Sequence, residues 1–370
     1  REVSLVRKEI KLEDQAAKSY VVDRLADGSG MKIGVIELPA FYRDFEAEST
    51  GASDFRSTTR DVRRLLDELT AKGVEGIVID LRGNGGGSLV EATSLTGLFI
   101  DTGPVVQVKD AIGKVEIQSD TDPGLAYAGP LAVLVDRDSA SASEIFAAAI
   151  QDYGRGLVIG EPTFGKGTVQ TLIDLNRYVP SEKTDLGRLR LTMAEFFRVS
   201  GGSTQLRGVE PDIRFPTADY LTEHGERSLD NALPWTRIQA ADYKRFGSVS
   251  PDLLARQSAE RIARDAGFKL LVERSKLMRD VENDKEVSLR ERDRREEDAQ
   301  RERRLEDDQN RFLRALGMTP VDEDADQVDE TALEAQRKVI ARIEVEEAAR
   351  ILVDGILLER GNRPRAVTRN

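Results

Sequence analysis

The fold of this chain is decided by residues 131–154, LAVLVDRDSASASEIFAAAIQDYG. The five consecutive apolar residues Leu131–Val135 predict a strand that is buried on both faces, as in the centre of a parallel sheet. A polar turn follows, and the Ala-rich segment Ser141–Tyr153 predicts a helix. Leu157–Gly160 then predicts a second strand, so this stretch favours a strand-helix-strand unit.

The same alternation precedes and follows this stretch. Phe55–Lys72 has helical spacing, Val74–Leu81 is a continuous apolar strand, and the glycine-rich loop Arg82–Gly87 leads into a helix over Ser88–Ile100. Short links between alternating elements predict an α/β core with a mixed, largely parallel sheet flanked by helices, closing near Phe215. Further strands are predicted at Met31–Leu38, Val105–Val108, Lys114–Ile117, Thr168–Leu175 and Leu189–Phe197.

After Thr217 the composition changes. Residues 218–251 predict a polar connector, and residues 252–370 predict a mostly α-helical, charged C-terminal domain. Glu282–Asp308 is composed almost entirely of charged residues, which favours a solvated helix held by ion pairs three and four residues apart. An electrostatic surface for a partner is the alternative.

Composition excludes several classes of function. The chain has 370 residues with 55 basic and 67 acidic side chains, and its net charge of −12 argues against nucleic acid as a partner. With no Cys and one His, it has no disulfide, no Cys nucleophile and no zinc site built from those residues. No apolar run reaches the ~20 residues of a membrane span. We also expect that a segment upstream of Arg1 has been removed, and the absence of Cys is compatible with an oxidising compartment such as the periplasm.

The serine cluster at residues 139–143 has two interpretations. Ser139 or Ser141 can cap the following helix, with Glu144 completing a capping box. Alternatively, one serine is a nucleophile at a strand-to-helix turn, where the free N–H groups of the helix stabilise an oxyanion. Both interpretations can hold on different serines.

A second candidate is Lys166, in the sequence GEPTFGKGT over residues 160–168. This loop resembles a phosphate-binding loop, but Gly167 stands where Ser or Thr must bind magnesium, and a strand follows instead of a helix. The simplest alternative is a glycine turn with a surface lysine. The flanking glycines also allow close backbone approach, and an enclosed Lys166 can act as a base. Because free lysine has a pKa of ~10.4, a lysine base near neutral pH requires burial.

The remaining motifs are weaker. RGNGGGS over residues 82–88 lacks the third glycine of a dinucleotide site, so it predicts either a flexible turn or a loop that donates N–H groups to an anion. His224 lies in the polar connector, where solvent exposure is expected, so a His-based triad has little support. Ser29 and Lys32 satisfy Ser-x-x-Lys by chance, across a turn. A Ser-Lys pair remains, which is a known variant of serine hydrolase chemistry.

Five segments of the chain carry a resemblance to a known family. They are LRGNGGG at 81–87, SASASEIFAAA at 139–149, QDYG at 151–154, GEPTFGKGTVQ at 160–170 and GVEPDI at 208–213. Together they resemble the C-terminal processing (tail-specific) proteases, Ser-Lys endopeptidases of the S41 family. The resemblance covers roughly Glu2–Phe215, and the charged helical tail is similar to that of the long Gram-negative periplasmic (Prc-like) branch.

The resemblance implies a role for each matching residue. Ser141 is the nucleophile, Lys166 is the general base that later protonates the leaving amine, and Gln170 helps to orient Lys166. The backbone N–H groups of Gly87 and Ala142 form the oxyanion hole.

Asp152 is assigned a catalytic part in the family. Eleven residues along one helix would place it ~16 Å from Ser141, so pairing or capping at the helix end is the alternative. No metal and no cofactor are implied.

The resemblance also implies a PDZ domain that captures apolar C-terminal tails. We expect this domain directly upstream, with residues 1–30 as its exit strands and hinge, residues 31–217 as the protease core, and Glu2–Leu12 as strands. The implied function is endoproteolysis of periplasmic proteins in or near their C-terminal tails, in the periplasm or peripheral to the inner membrane. An adaptor or a second copy is expected to bind the helical domain. A catalytically silent scaffold that keeps the protease fold is the alternative.

Overall fold

The structure is a computed structural model. It describes residues 16–362 except 24, 26–29, 52–54, 179–184, 221–223, 248–249, 285, 287 and 321–329. The strands predicted at Glu2–Leu12, and Ser29 of the Ser-x-x-Lys match, lie outside the described residues.

The described residues form ten strands and eight α-helices. The strands are β1 Lys18–Val22, β2 Ile33–Glu37, β3 Gly76–Asp80, β4 Gly103–Asp110, β5 Val115–Asp120, β6 Leu131–Val135, β7 Leu157–Gly160, β8 Thr168–Asp174, β9 Arg188–Phe197 and β10 Ile213–Arg214. The helices are α1 Phe45–Ser49, α2 Thr58–Ala71, α3 Leu89–Gly97, α4 Ala142–Tyr153, α5 Pro251–Ile262, α6 Ala266–Asn283, α7 Glu291–Ala315 and α8 Glu330–Asn362.

A six-stranded sheet forms the centre of the α/β part. Its strand order is β1-β2-β3-β6-β7-β10, and every neighbouring pair is parallel except β1 and β2, which are antiparallel. This confirms the predicted mixed, largely parallel sheet. Because the strands run the same way, the loops after β3, β6 and β7 meet at one edge of the sheet.

The other four strands form a separate antiparallel sheet in the order β5-β4-β9-β8. Strands at the positions of β4, β5, β8 and β9 were predicted, but their grouping into a second sheet was not. Alternation along a strand indicates which side chains are buried and not which strand lies alongside. β8 begins just after Lys166, so this second sheet borders the loop that carries the candidate base.

Both faces of the six-stranded sheet are covered by helices. Ile77 and Ile79 of β3 belong to a buried cluster that also contains apolar side chains of α2, α3 and α4. Val78, between them, belongs to a second buried cluster that contains apolar side chains of α5, α6 and α8. The continuous apolar sequence of β3 therefore reflects burial on both faces. The helical C-terminal region supplies the cover for one of them.

The charged segment Glu282–Asp308 is not one continuous helix. α6 ends at Asn283 and α7 begins at Glu291, so the prediction of a single helix was wrong at this break. Within α7 the predicted ion pairs are present, with Arg295 and Glu291 2.8 Å apart and Arg294 and Asp298 3.2 Å apart. None of the described helices combines the length and the apolar composition needed to cross a membrane.

Candidate active site

Ser141 lies at the turn between β6 and α4, where it is the N-cap residue of the helix. Its backbone has φ 57° and ψ −110°, and among the described residues only Leu206 is another non-glycine residue with positive φ. An ordinary side chain in this conformation is strained, and such strain is concentrated at functional sites. One half of the predicted capping box is present as well, because Glu144 Oε2 accepts the Ser141 N–H at 2.8 Å, so this capping bond and the strained turn coincide on one serine.

The neighbouring serines have structural roles. The Ser139 hydroxyl donates to the Leu81 carbonyl at 2.9 Å, and the Ser143 hydroxyl donates to the Asn84 carbonyl at 2.8 Å. Both bonds attach the serine turn to the glycine-rich loop after β3. By contrast, the Ser141 hydroxyl makes no side-chain capping hydrogen bond to the helix among the residues that the structure describes.

Lys166 lies in the loop between β7 and β8 and is half-buried. The glycines beside it allow the close backbone approach that the sequence predicted. A Cβ on Gly167 would lie 2.7 Å from the backbone nitrogen of Gln205, and one on Gly165 would lie 3.0 Å from the carbonyl carbon of Leu206. The Gly167 N–H also donates to Gln205 Oε1 at 2.8 Å. The segment around Gln205 thus packs directly against the backbone of the lysine loop on both sides of Lys166.

Glu144 joins the serine turn to the lysine loop. Its Oε2 accepts the backbone N–H of Ser141 at 2.8 Å and that of Lys166 at 2.9 Å. Its Oε1 accepts the Thr163 hydroxyl and the Gly165 N–H, both at 2.7 Å. Because a single oxygen binds the N–H groups of both Ser141 and Lys166, the two residues are neighbours in space.

The environment of Glu144 shifts its protonation. Burial raises the pKa of this carboxyl, and the four hydrogen bonds lower it. Burial has the larger effect, so the pKa rises to about 7. The sequence analysis treated Glu144 only as a capping residue. The signal that was missed is an acidic residue at the start of an otherwise apolar helix, IFAAAI over residues 145–150, since a buried carboxylate must have partners.

The glycine-rich loop lies against the serine turn. A Cβ on Gly86 would lie 2.8 Å from Ser141 Cβ and 3.0 Å from the Ala142 nitrogen. Gly86 N–H donates to Asn84 Oδ1 at 2.9 Å, and Asn84 itself is fully buried. Ala142 is the first residue of α4, where the N–H has no acceptor within the helix. Gly87 follows Gly86 directly, with φ 145°, and a Cβ on it would lie 2.2 Å from the Phe41 carbonyl oxygen. The part of Gly87 and Ala142 in an oxyanion hole stays a prediction.

Gln170 and Asp152 lie further out. Gln170 is exposed on β8, beyond an irregularity in the β8–β9 register at Val169, and its Nε2 lies 3.5 Å from the Thr192 hydroxyl. Asp152 lies at the opposite end of α4 from Ser141, where Arg198 binds it at 2.7 Å and the Ser200 hydroxyl donates to it at 3.0 Å. The structure therefore shows Asp152 in a pair at the helix end, and the catalytic parts of both residues stay predictions.

The His224 side chain is 33% exposed, but it also makes contacts that its place in the polar connector did not predict. Its Nε2 lies 2.9 Å from Asp138 Oδ1, and its ring packs edge-to-face on Phe164 with 5.5 Å between the ring centroids. The single histidine thus contacts the residues that flank Ser141 and Lys166 in sequence. The connector was judged only by its polar composition, which cannot reveal where a segment docks.

The comparisons with known proteins agree with this geometry. Residues 32–215 match Peptidase family S41, and residues 220–357 match the C-terminal domain of tail specific protease. The Tail-specific protease of Haemophilus influenzae is 42% identical over 320 residues, which are 85% of this chain and 44% of that protein. The chloroplastic C-terminal processing peptidase of Tetradesmus obliquus is 37% identical over 158 residues, 43% of this chain and 32% of that protein.

A solved structure is also similar, the photosystem II D1 C-terminal processing protease. It is 31% identical, with a TM-score of 0.43, over 54% of this chain and 47% of that one. This chain spans less than half the length of each of these relatives. The chain belongs to peptidase family S41, and its helical half is the C-terminal domain of the tail-specific proteases.

Proposed function

We propose that this protein is a serine endopeptidase that cleaves protein substrates in or near their C-terminal tails through an acyl-enzyme intermediate. The observation that carries the proposal is the pair of hydrogen bonds from the Ser141 and Lys166 N–H groups to one oxygen of Glu144. These bonds bring the backbone of a strained serine at a helix N-terminus close to the backbone of a half-buried lysine, which supports the proposed pair. Membership of peptidase family S41 supports the same chemistry.

In the proposed reaction, the neutral amine of Lys166 takes the proton of the Ser141 hydroxyl as its oxygen attacks the scissile carbonyl carbon. The N–H groups of Gly87 and Ala142 stabilise the resulting oxyanion. The Lys166 ammonium then protonates the leaving amine, and the tetrahedral intermediate collapses to an ester on Ser141. Lys166 activates the water that hydrolyses this ester, which regenerates the serine. Gln170 would orient Lys166 when the substrate is bound.

The substrates, the partners and the location belong to the same proposal. Relatives are described as tail-specific or C-terminal processing proteases, which supports recognition of C-terminal tails, with apolar ones expected. A location in the periplasm, or at the surface of the inner membrane, is proposed from the resemblance of the helical half to the Gram-negative periplasmic branch, and the Haemophilus relative is also bacterial. An adaptor or a second copy would bind the helical half.

The test compares variants of the natural full-length protein on a folded substrate with an apolar C-terminal tail. We expect Ser141→Ala and Lys166→Ala to abolish cleavage and to prevent labelling of Ser141 by a fluorophosphonate probe, with the same thermal unfolding midpoint as the wild type. Ser119→Ala and Lys72→Ala, at exposed positions, serve as matched controls that keep full activity. Undiminished cleavage by either active-site variant would refute the assignment, and a wild-type protein that resists the probe would favour the silent scaffold.

A further inference from the structure

Residues His224–Glu226 return to the loops that carry Ser141 and Lys166, and we call these three residues the strap. They lie within residues 220–357, which match the C-terminal domain, and outside residues 32–215, which match the peptidase family. The strap is therefore a part of the C-terminal domain that reaches the candidate active site. None of its residues belongs to the proposed catalytic machinery.

The first contact of the strap is with the serine turn. The ring of His224 donates from Nε2 to the Asp138 carboxylate at 2.9 Å, three residues before Ser141. The same ring packs edge-to-face on Phe164, with an interplanar angle of 86°. Phe164 N–H in turn donates to the Ser139 carbonyl at 3.0 Å. One imidazole thus bridges the two loops that carry the proposed catalytic pair.

The second contact fixes the lysine loop on its N-terminal side. The Glu226 N–H donates to the Phe164 carbonyl at 3.1 Å, two residues before Lys166. Gly225 lies so close to that carbonyl that a Cβ would be 2.2 Å from its oxygen, and its φ of +82° favours glycine as well. The strap backbone and the lysine loop are therefore packed in direct contact.

The third contact reaches the C-terminal side of the lysine. Gln205 Nε2 donates to Glu226 Oε1 at 3.1 Å, while Gln205 Oε1 accepts the Gly167 N–H at 2.8 Å. The strap thus contacts Phe164, the residue before Gly165. Through Gln205 it is also connected to Gly167, the residue directly after Lys166. A loop held at both ends leaves its central side chain few alternative positions.

We propose that the strap is a positioning element that holds Lys166 in register with Ser141, so that the C-terminal domain completes the catalytic geometry. This rests on the proposed function, because it assumes that Lys166 acts on Ser141. A base displaced by ~1 Å can cost ~100-fold in rate, so loosening the loop should slow catalysis without changing substrate binding.

The test uses His224→Ala and Gly225→Ala in the natural full-length protein, with kcat and KM measured on a peptide substrate. We expect kcat to fall by about tenfold or more while KM stays within about twofold, because the strap positions the base and does not touch the substrate. The rate of fluorophosphonate labelling of Ser141 should fall by the same factor. His224→Gln, whose Nε2 can replace the ring nitrogen as donor to Asp138, should recover part of the loss.

Asp230→Asn, at an exposed position of the same connector, is the matched control and should keep wild-type kcat. Wild-type kcat in both His224→Ala and Gly225→Ala would overturn the proposal. The proposal would also be overturned if a rise in KM or a fall in the unfolding midpoint accounted for the whole loss of activity in these variants, and His224→Gln recovered none of it. Failure of the proposed function is seen separately, as cleavage that persists in Ser141→Ala.

Discussion

Glu144 is the residue on which the candidate site depends most. Its side chain is fully buried, yet it accepts four hydrogen bonds from the serine turn and the lysine loop. Burial disfavours the charged form, whereas the donors favour it, and the pKa of Glu144 consequently rises to about 7. A group that titrates near neutral pH therefore holds the serine turn and the lysine loop together.

At this residue we predict opposite effects of pH on activity and on stability. Below pH of about 7 Glu144 takes up a proton, one of its donors loses its acceptor, and activity should fall. The stability effect has the other sign, because the pKa is raised from 4.5 in the folded protein and the folded state holds this proton more tightly than the unfolded chain. That contribution is complete below pH 4.5 and is lost as pH rises to about 7, by about 3 kcal/mol at most.

The measurement is urea unfolding and kcat between pH 5 and pH 8, for wild type and for Glu144→Gln. The variant cannot titrate here, so its free energy of unfolding should lack the fall with rising pH that wild type shows. Its kcat should drop by about 100-fold or more, since an amide offers one acceptor oxygen in place of two. Glu116→Gln, at an exposed position, is the control. Identical pH slopes in wild type and Glu144→Gln would contradict the prediction.

Among the elements, α4 connects the candidate site to the second sheet. Its first turn carries Ser141 and Glu144, and its last turn carries Asp152, which pairs with Arg198 just after β9. Arg198 also donates to Gln151 at 2.8 Å. The helix is thus held by side-chain hydrogen bonds at both ends.

We predict that Asp152 acts through Arg198. Asp152→Ala leaves the partly buried guanidinium without its carboxylate partner, although its bond to Gln151 remains, and should lower the free energy of unfolding by about 1–3 kcal/mol. Asp152→Ala and Arg198→Ala should each lower kcat by a similar factor. The double variant should lose no more activity than either single variant, because the two residues form one unit. Unfolding and kinetics of all three variants check this. A loss of kcat in Asp152→Ala that Arg198→Ala does not share would instead support direct participation of the carboxylate.

For the whole molecule, the important feature is the shared core of sheet and C-terminal helices. Leu352 of α8 is buried against β3, where a Cβ on Gly76 would lie 2.8 Å from its Cδ2. Arg82, at the start of the glycine-rich loop, pairs with Glu344 of α8 at 2.7 Å. The helical half is therefore packed on the sheet that positions the site, a contact that its composition did not predict.

We predict that Leu352→Ala destabilises the sheet and the helices together. Loss of a buried leucine costs about 2–5 kcal/mol, and a shared core should unfold in a single transition. Leu357→Ala, on the same helix but 47% exposed, is the matched control and should change stability by less than about 1 kcal/mol. Calorimetry and denaturant unfolding measure both. Two separate transitions, with only one shifted by Leu352→Ala, would show that the halves fold independently.

The sequence by itself determined the elements and the chemistry that they offer. Apolar runs such as Leu131–Val135 predict strands that are covered on both faces, because such a strand needs no polar face. The motifs at Ser141 and Lys166 left a Ser-Lys pair as the candidate once Cys and a usable His were excluded. Local periodicity and residue chemistry are properties of short segments, so they can be predicted without knowing what lies alongside.

Only the tertiary structure decided which segments meet. Glu144 joins two loops, the β8–β9 hairpin belongs to a second sheet, α8 covers the first sheet, and His224 returns to the site from a polar connector. Each of these depends on contacts between residues far apart in the chain, where burial and hydrogen-bond geometry select the partner. The composition of a segment determines how much apolar surface it must bury, and the packed core determines which other segment it is buried against.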